Sequence, residues 1–153
     1  MRIPKLALAL SCLLLLQHAA FGAGLQIENA WIREAPPGAT VLAGYLTIKN
    51  NEANPITLTG VESPVCNSIM MHNTIVENNV ARMVMQESVP IAAGKSVSFA
   101  PGGMHLMIMG PKTALHAGDT VKLVLLFNNG VKKVVNAPVR KATAEDMQSH
   151  HHE

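Results

Sequence analysis

Residues 69–86, IMMHNTIVENNVARMVMQ, contain the clearest indication of the fold class. Two segments rich in strand-forming residues, 69–76 and 80–86, flank the tripeptide Glu77-Asn78-Asn79. Asparagine tolerates a positive backbone φ, so the tripeptide indicates a tight turn. The stretch therefore predicts a β-hairpin.

Similar short segments, bounded by Pro, Gly or Asn, continue along the whole chain. Asn128-Asn129-Gly130 predicts a second hairpin, and no segment has the length and period of an amphipathic helix. About eight strands at roughly ten-residue spacing are typical of an all-β sandwich or Greek-key barrel. The other predicted strands are 25–32, 43–49, 56–61, 96–99, 104–109, 121–127 and 131–139.

The N-terminus has the order of a secretory signal peptide. Arg2 and Lys5 precede an apolar run at 6–16, and small residues follow within 19–23. The run is shorter than the about 20 residues that a membrane-spanning helix needs. Cys12 lies inside this run, so we do not predict a lipid anchor there. We expect cleavage of residues 1–23 and release of the mature protein into the periplasm.

The remaining chain divides into a β domain and a tail. We predict the domain at 24–140 and a flexible polar tail at 141–153. Loss of the leader removes two of the twelve basic residues and leaves ten against ten acidic ones. Aromatic residues make up 3% of the chain, so a nucleic-acid binder with a basic face and aromatic platforms is not expected.

Methionine is the unusual component, with nine residues against one tryptophan and one tyrosine. Residues i and i+2 of a strand share a face. In segment 104–109, His105, Met107 and Met109 should therefore lie together, opposite Met104. The same alternation places Met70 beside His72 and Met83 beside Met85, with Met71 on the opposite face of its strand.

These side chains indicate a site for a soft metal. If the hairpin meets the strand that carries His105, two imidazoles and at least two thioethers converge. Thioether sulfur is poorly suited to Zn²⁺, Mg²⁺ or Ca²⁺, whereas imidazole with thioether suits Cu(I). No carboxylate lies close in sequence to these positions. We therefore predict copper before any other ion.

The spacing of these residues resembles a known family. The pattern of the periplasmic PCuAC copper chaperones is His-X10-Met-X21-His-X-Met. This chain matches it with His72, Met83, His105 and Met107. The segment 101–107, PGGMHLM, is similar to that family's Pro-Gly-Gly-X-His-X-Met stretch, and the likeness extends over nearly the whole mature domain.

The resemblance implies a cupredoxin-like fold that binds one Cu(I) per chain through His72, Met83, His105 and Met107. It also implies delivery of the ion to the dinuclear copper centre of cytochrome c oxidase or to another exported copper protein. The partner would be met transiently, and we expect a monomer. No nucleophile–base pair or phosphate loop is recognisable, so we do not expect an enzyme.

The sequence leaves the roles of several other residues, and two other functions, as alternatives. Met85 is the main alternative to Met83 as a ligand, because it shares the same face. Cys66 is predicted to be an inert small residue, and His116 is predicted to be a surface residue. An electron-transfer cupredoxin would need Cys66 as a ligand, and a metal-free interaction module would need only a Met-rich core. Histidines at 150–152 are compatible with a weak second site for Cu(II) in the tail.

Overall fold

The structure is a computed structural model that describes residues 24–144. The predicted signal peptide at 1–23 and most of the predicted tail at 141–153 lie outside these residues. Within residues 24–144, no helix is long and apolar enough to cross a membrane. The strands are β1 (Leu25–Arg33), β2 (Val41–Asn50), β3 (Ile56–Glu62), β4 (Cys66–Glu77), β5 (Val80–Gln86), β6 (Val89–Ile91), β7 (Ser96–Phe99), β8 (Met104–Pro111), β9 (Thr120–Phe127) and β10 (Lys132–Arg140).

The strands form one open path in the order β5-β4-β8-β2-β1-β10-β9-β3-β6, with β7 also paired to β2. A short parallel pairing of β1 with β10 joins the two arms of this path, and the other pairings are antiparallel. Both arms contribute to a single apolar core, for example Ile48 and Leu106 from one arm and Leu58 and Leu123 from the other. The arms therefore pack as two layers, which confirms the all-β prediction.

Both predicted hairpins are present. Asn78 and Asn79 have φ values of 52° and 62° and form the two-residue connection between β4 and β5. Positive φ at both central residues is the conformation of the type I′ turn, which matches the twist of the paired strands. The second hairpin joins β9 to β10, and Gly130 with φ 81° lies in its turn.

The strand β6 was not predicted. It has three residues, and its central residue is Pro90, which cannot donate a hydrogen bond to a neighbouring strand. Among the described strands it pairs with β3 alone, at one end of the strand path. Proline is tolerated at such an edge because one side of the strand needs no partner.

The two faces of β4, β8 and β2 have opposite environments. Met71, Leu106, Ile108 and Leu42 are at most 5% exposed and face the core. Their neighbours in sequence lie on the other surface of the sheet. We call this surface the outer face; it is formed by β5, β4, β8 and β2 and carries Met70, His72, Met83, Met85, His105, Met107 and Met109.

Candidate metal site

His72 and His105 lie directly opposite each other on β4 and β8. Their ring centroids are 6.0 Å apart and their planes differ by 20°. His105 is 8% exposed, and His72 is partly buried. The predicted convergence of these two histidines is therefore present on the outer face.

Hydrogen bonding leaves both imidazoles able to bind a metal. His105 Nδ1 lies 3.0 Å from the carbonyl oxygen of Gly103, which can only accept, so Nδ1 carries the proton. Nε2 of His105 is then the nitrogen with a free lone pair. His72 Nδ1 is buried and, within residues 24–144, is the one such side-chain atom without a hydrogen-bond partner. A buried polar atom without a partner costs about 1–3 kcal/mol, which a bound ion would offset.

A tight turn before β8 positions His105. Gly103 N donates to the carbonyl oxygen of Ala100 at 3.1 Å, and Gly102 has a φ of 84°. Pro101 followed by a glycine with positive φ is the arrangement of a type II turn. The carbonyl oxygen of Gly103 also accepts from Thr74 N at 3.2 Å, so the turn is tied to β4 as well as to His105.

Met107 also lies at the site. It is partly buried, and its direct neighbour across the β4–β8 pairing is Met70, which is 39% exposed. Residues directly opposite in antiparallel strands have Cβ atoms about 4.5–5.5 Å apart. Met70 and Met107 therefore form a thioether pair next to the histidine pair.

The register of the hairpin gives Met83 and Met85 different positions relative to His72. Met85 lies directly opposite His72, whereas Met83 lies opposite Thr74. Met83 is thus the diagonal neighbour of His72, with Cβ atoms about 7–8 Å apart and within reach of a long side chain. Both thioethers are exposed, Met83 by 65% and Met85 by 56%. The choice of Met83, Met107 and the two histidines as ligands stays a prediction.

The closer position of Met85 was not recognised from the sequence, although the signal was present. A two-residue turn at Asn78-Asn79 pairs Glu77 with Val80, and this fixes every later pair, including His72 with Met85. If Glu77 belongs to the turn, as the sequence pattern suggests, the register of the hairpin is not defined. Counting back from the turn would have placed Met85 beside His72.

Two other methionines have structural roles. Met71 is 5% exposed in the core, and Met104 packs against the core from the inner face of β8. Met109 is on the outer face, opposite Ser68 and therefore two residue pairs beyond Met70 and Met107. The predicted alternation of these residues is confirmed.

Cys66 is remote from the histidines. It begins β4, six residues before His72, which corresponds to about 20 Å along an extended strand. Its side chain is 5% exposed, and its Sγ lies 3.8 Å from the carbonyl oxygen of Ser63. Burial raises the pKa of the Cys66 thiol, an effect that the charge of Lys112 opposes. One ion cannot bind both Cys66 and His72 across this distance, so within residues 24–144 Cys66 does not form a blue-copper site with His72 and His105.

His116 is a surface residue, as predicted, but it has partners. Its side chain is 66% exposed with Nδ1 3.8 Å from Glu34 Oε1, and its backbone nitrogen donates to Asp119 at 2.8 Å. Within residues 24–144, no group of three or more His, Cys, Asp or Glu side chains is arranged to hold a metal. A site on these residues therefore depends on thioethers. The predicted Cu(II) site at 150–152 lies outside the described part of the chain.

An aromatic cluster borders the site and was not predicted. Tyr45 follows Gly44, the residue opposite Leu106, so strand alternation places Tyr45 on the face of His105. The rings of Tyr45 and Trp31 are 4.7 Å apart, and the Arg140 guanidinium lies 3.5 Å from the centroid of a Trp31 ring. The cluster packs beside β8 on β2 and β1, on the side away from the exposed β4–β5 hairpin.

Comparisons with known proteins identify the same kind of domain. The chain is 33% identical over 118 residues to "Putative lipoprotein Lxx21020" of Leifsonia xyli subsp. xyli, which covers 76% of this chain and 70% of that protein. The solution structure of CuI-DR1885 from Deinococcus radiodurans is similar with 30% identity and a TM-score of 0.60, over 80% of this chain and 83% of that one.

A third similarity concerns the fold alone. The copper-bound PCuAC domain from PmoF2 has 22% identity and a TM-score of 0.66, over 77% of this chain and 93% of that domain. This agreement confirms the predicted cupredoxin-like fold. The family profile described as LpqE-like, which represents the PCuAC family, matches residues 25–139. The chain therefore belongs to the PCuAC family.

Proposed function

We propose that this protein is an exported copper chaperone that binds one Cu(I) per chain on the outer face and passes it to another exported copper protein. His72, His105, Met83 and Met107 are the proposed ligands. The buried, unpartnered Nδ1 of His72 opposite His105 is the observation that carries this proposal. Membership of the PCuAC family and the copper-bound forms of two similar domains support it.

The chemistry of the site suits a carrier. Two neutral imidazoles and two thioethers add no charge to the ion, and each copper–thioether bond is weak enough for a partner's ligand to replace it. Met83 is 65% exposed on a hairpin at the edge of the sheet, where a partner can approach. The ion stays Cu(I) during this exchange, so no electron has to move. The protein thus acts by ligand exchange rather than as an enzyme.

An anaerobic Cu(I) titration against a chromophoric chelator tests the proposal. We expect one tight equivalent in the mature protein and its loss in the His72→Ala/His105→Ala double variant. His116→Ala is the matched control, because this histidine is exposed and lies outside the outer face. Absence of competition by the wild-type protein would instead favour an interaction module without metal.

The proposed recipient is the copper-site subunit of cytochrome c oxidase, with another exported copper protein as the alternative. This choice rests on the family resemblance, and the encounter is expected to be brief. The test mixes the Cu(I)-loaded protein with the metal-free copper-site domain, separates the two and measures copper in each. Copper that stays on the loaded protein would exclude this recipient.

The periplasmic location and the tail site are also proposals. The similarity to a lipoprotein and the N-terminal pattern of residues 1–23 support export. Cell fractionation with N-terminal sequencing of the mature protein tests it. For the tail, replacing the histidines at 150–152 by alanine should remove a weak Cu(II) equivalent and leave Cu(I) binding unchanged.

A further inference from the structure

We propose that Met70, Met85 and Met107 form a second, all-thioether position for Cu(I), next to the histidine pair, through which the ion enters and leaves. This inference rests on the proposed function and extends it. It assigns a role to Met70 and Met85, which the four-ligand pattern leaves unused.

Strand register places Met85 and Met107 on either side of Met70 on the outer face. Met70 is directly opposite Met107, and Met85 is directly opposite His72. Because Met70 lies two residues from His72 on the same strand, Met70 and Met85 are diagonal neighbours on the outer face. Diagonal Cβ atoms are about 7–8 Å apart, which flexible methionine side chains can span. Met70 is therefore the common neighbour of Met85 and Met107, and the three thioethers form a row beside His72 in which an ion can bind two adjacent sulfurs at a time.

Exposure argues against a packing role for this group. Met70 and Met85 are 39% and 56% exposed, whereas Met71, between Met70 and His72, is 5% exposed in the core. Exposed methionines grouped beside a predicted metal site are better explained by ligation than by core packing.

The residues around His72 on the outer face favour the binding of soft metal ions. The residues that β4, β5 and β8 place on the outer face around His72 are Met70, Thr74, Met83, Met85, His105 and Met107, none of which is acidic. Mg²⁺ and Ca²⁺ need oxygen ligands and find none of the usual carboxylates here. Cu(I), and Ag(I) as its redox-inert substitute, accept thioether ligands.

The second position would shorten the distance that the ion moves each time one ligand replaces another. An ion held by His72 and His105 can gain Met70 or Met85 before it loses an imidazole, because these thioethers are adjacent to His72. Met85 lies on an exposed edge strand, so the ion would reach the surface that a partner can touch. The ion remains monovalent throughout, and no proton is transferred.

Ag(I) titration of the mature protein with ¹³C-labelled methionine methyl groups tests this position. In the His72→Ala/His105→Ala variant we expect one Ag(I) to bind roughly 100-fold more weakly than in the wild type, since only thioethers remain. The methyl signals of Met70, Met85 and Met107 should shift. Those of Met71 and Met104 should not, because these residues face the core, and they also report that the variant is folded.

Adding Met70→Ile and Met85→Ile to the double histidine variant should abolish this residual binding. Val84→Ile in the same background is the control, because Val84 is 42% exposed on the opposite face of the hairpin, across from Asn73. Residual binding that survives Met70→Ile and Met85→Ile overturns the second position. Tight binding by the wild type with no shift in the histidine variant overturns it too, but leaves the proposed function intact. Failure of the wild type to bind either ion rejects both.

Discussion

The two faces of β4 and β8 use the same kinds of residue for different purposes. On the inner face, Met71 and Leu106 are opposite each other and are 5% and 0% exposed. One residue further along each pairing, His72 and His105 are opposite each other on the outer face. Both pairs belong to the same two strands, and only the alternation of side chains separates them.

This difference shows that composition alone does not assign a role to a methionine. Met70 and Met71 are adjacent in sequence, yet one is 39% exposed next to a candidate ligand and the other is buried in the core. The inner face requires apolar volume, because core packing is dense. The outer face requires donor atoms with free lone pairs. Substitutions on the two faces should therefore separate stability from copper binding.

The largest effect is expected from Leu106→Ala on the inner face. Leu106 is fully buried, so its truncation should lower the free energy of unfolding by about 2–5 kcal/mol. Urea denaturation measures this loss, and the Cu(I) affinity of the folded variant should stay close to that of the wild type. A large loss of affinity with normal stability would show that the two faces are not independent.

Acidification should act on the outer face. Imidazole binds copper only as the neutral base, so we expect Cu(I) affinity to fall as the pH is lowered. The comparison is a chelator competition at several pH values, with His116→Ala as a variant that should follow the wild-type curve. A flat affinity between about pH 7.5 and 5 would exclude ligation by His72 and His105.

Met107→Ile is the outer-face counterpart of Leu106→Ala. The two residues are adjacent on β8, but Met107 is only partly buried and points away from the core. Loss of one thioether should weaken Cu(I) by about tenfold or more, which corresponds to about 1.4 kcal/mol, with little change in stability. If competition against the chelator is unchanged, Met107 is not a ligand.

The sequence predicted the strands and the alternation well because both are local properties. The asparagines at 78 and 79 and the Asn128-Asn129-Gly130 segment indicated turns, and the structure has positive φ at Asn78, Asn79 and Gly130. Which strands become neighbours, such as β4 with β8, depends on packing across the whole domain, so the sequence left the meeting of the hairpin with the His105 strand as a condition of the site. The proximity of Met85 to His72 needed the turn length in addition to the pattern. The strand β6 was not predicted because it contains Pro90, and a proline argues against a strand unless the strand is known to lie at an edge.

The smallest effect is expected at Cys66, where the simple alternation ends. Counting by twos from His72 would place Cys66 on the outer face, yet it is 5% exposed in the core. Gly110, next to its partner Pro111, has a φ of 57°, which marks the irregular end of the β4–β8 pairing. Burial raises the pKa of the Cys66 thiol above its value in the unfolded chain.

The unfolded chain therefore loses the thiol proton at a lower pH than the folded protein. The Cys66 thiol therefore costs the folded protein no stability while the pH is below the pKa of the unfolded thiol, about 8.5, because both states then keep the proton. The free energy of unfolding falls as the pH rises through the pKa of the folded protein. Cys66→Ala should show a slightly smaller alkaline loss of stability in urea denaturation and an unchanged Cu(I) affinity. A marked fall in Cu(I) affinity would mean that the separation of about 20 Å along β4 does not hold in solution, and that a thiol contributes to the site after all.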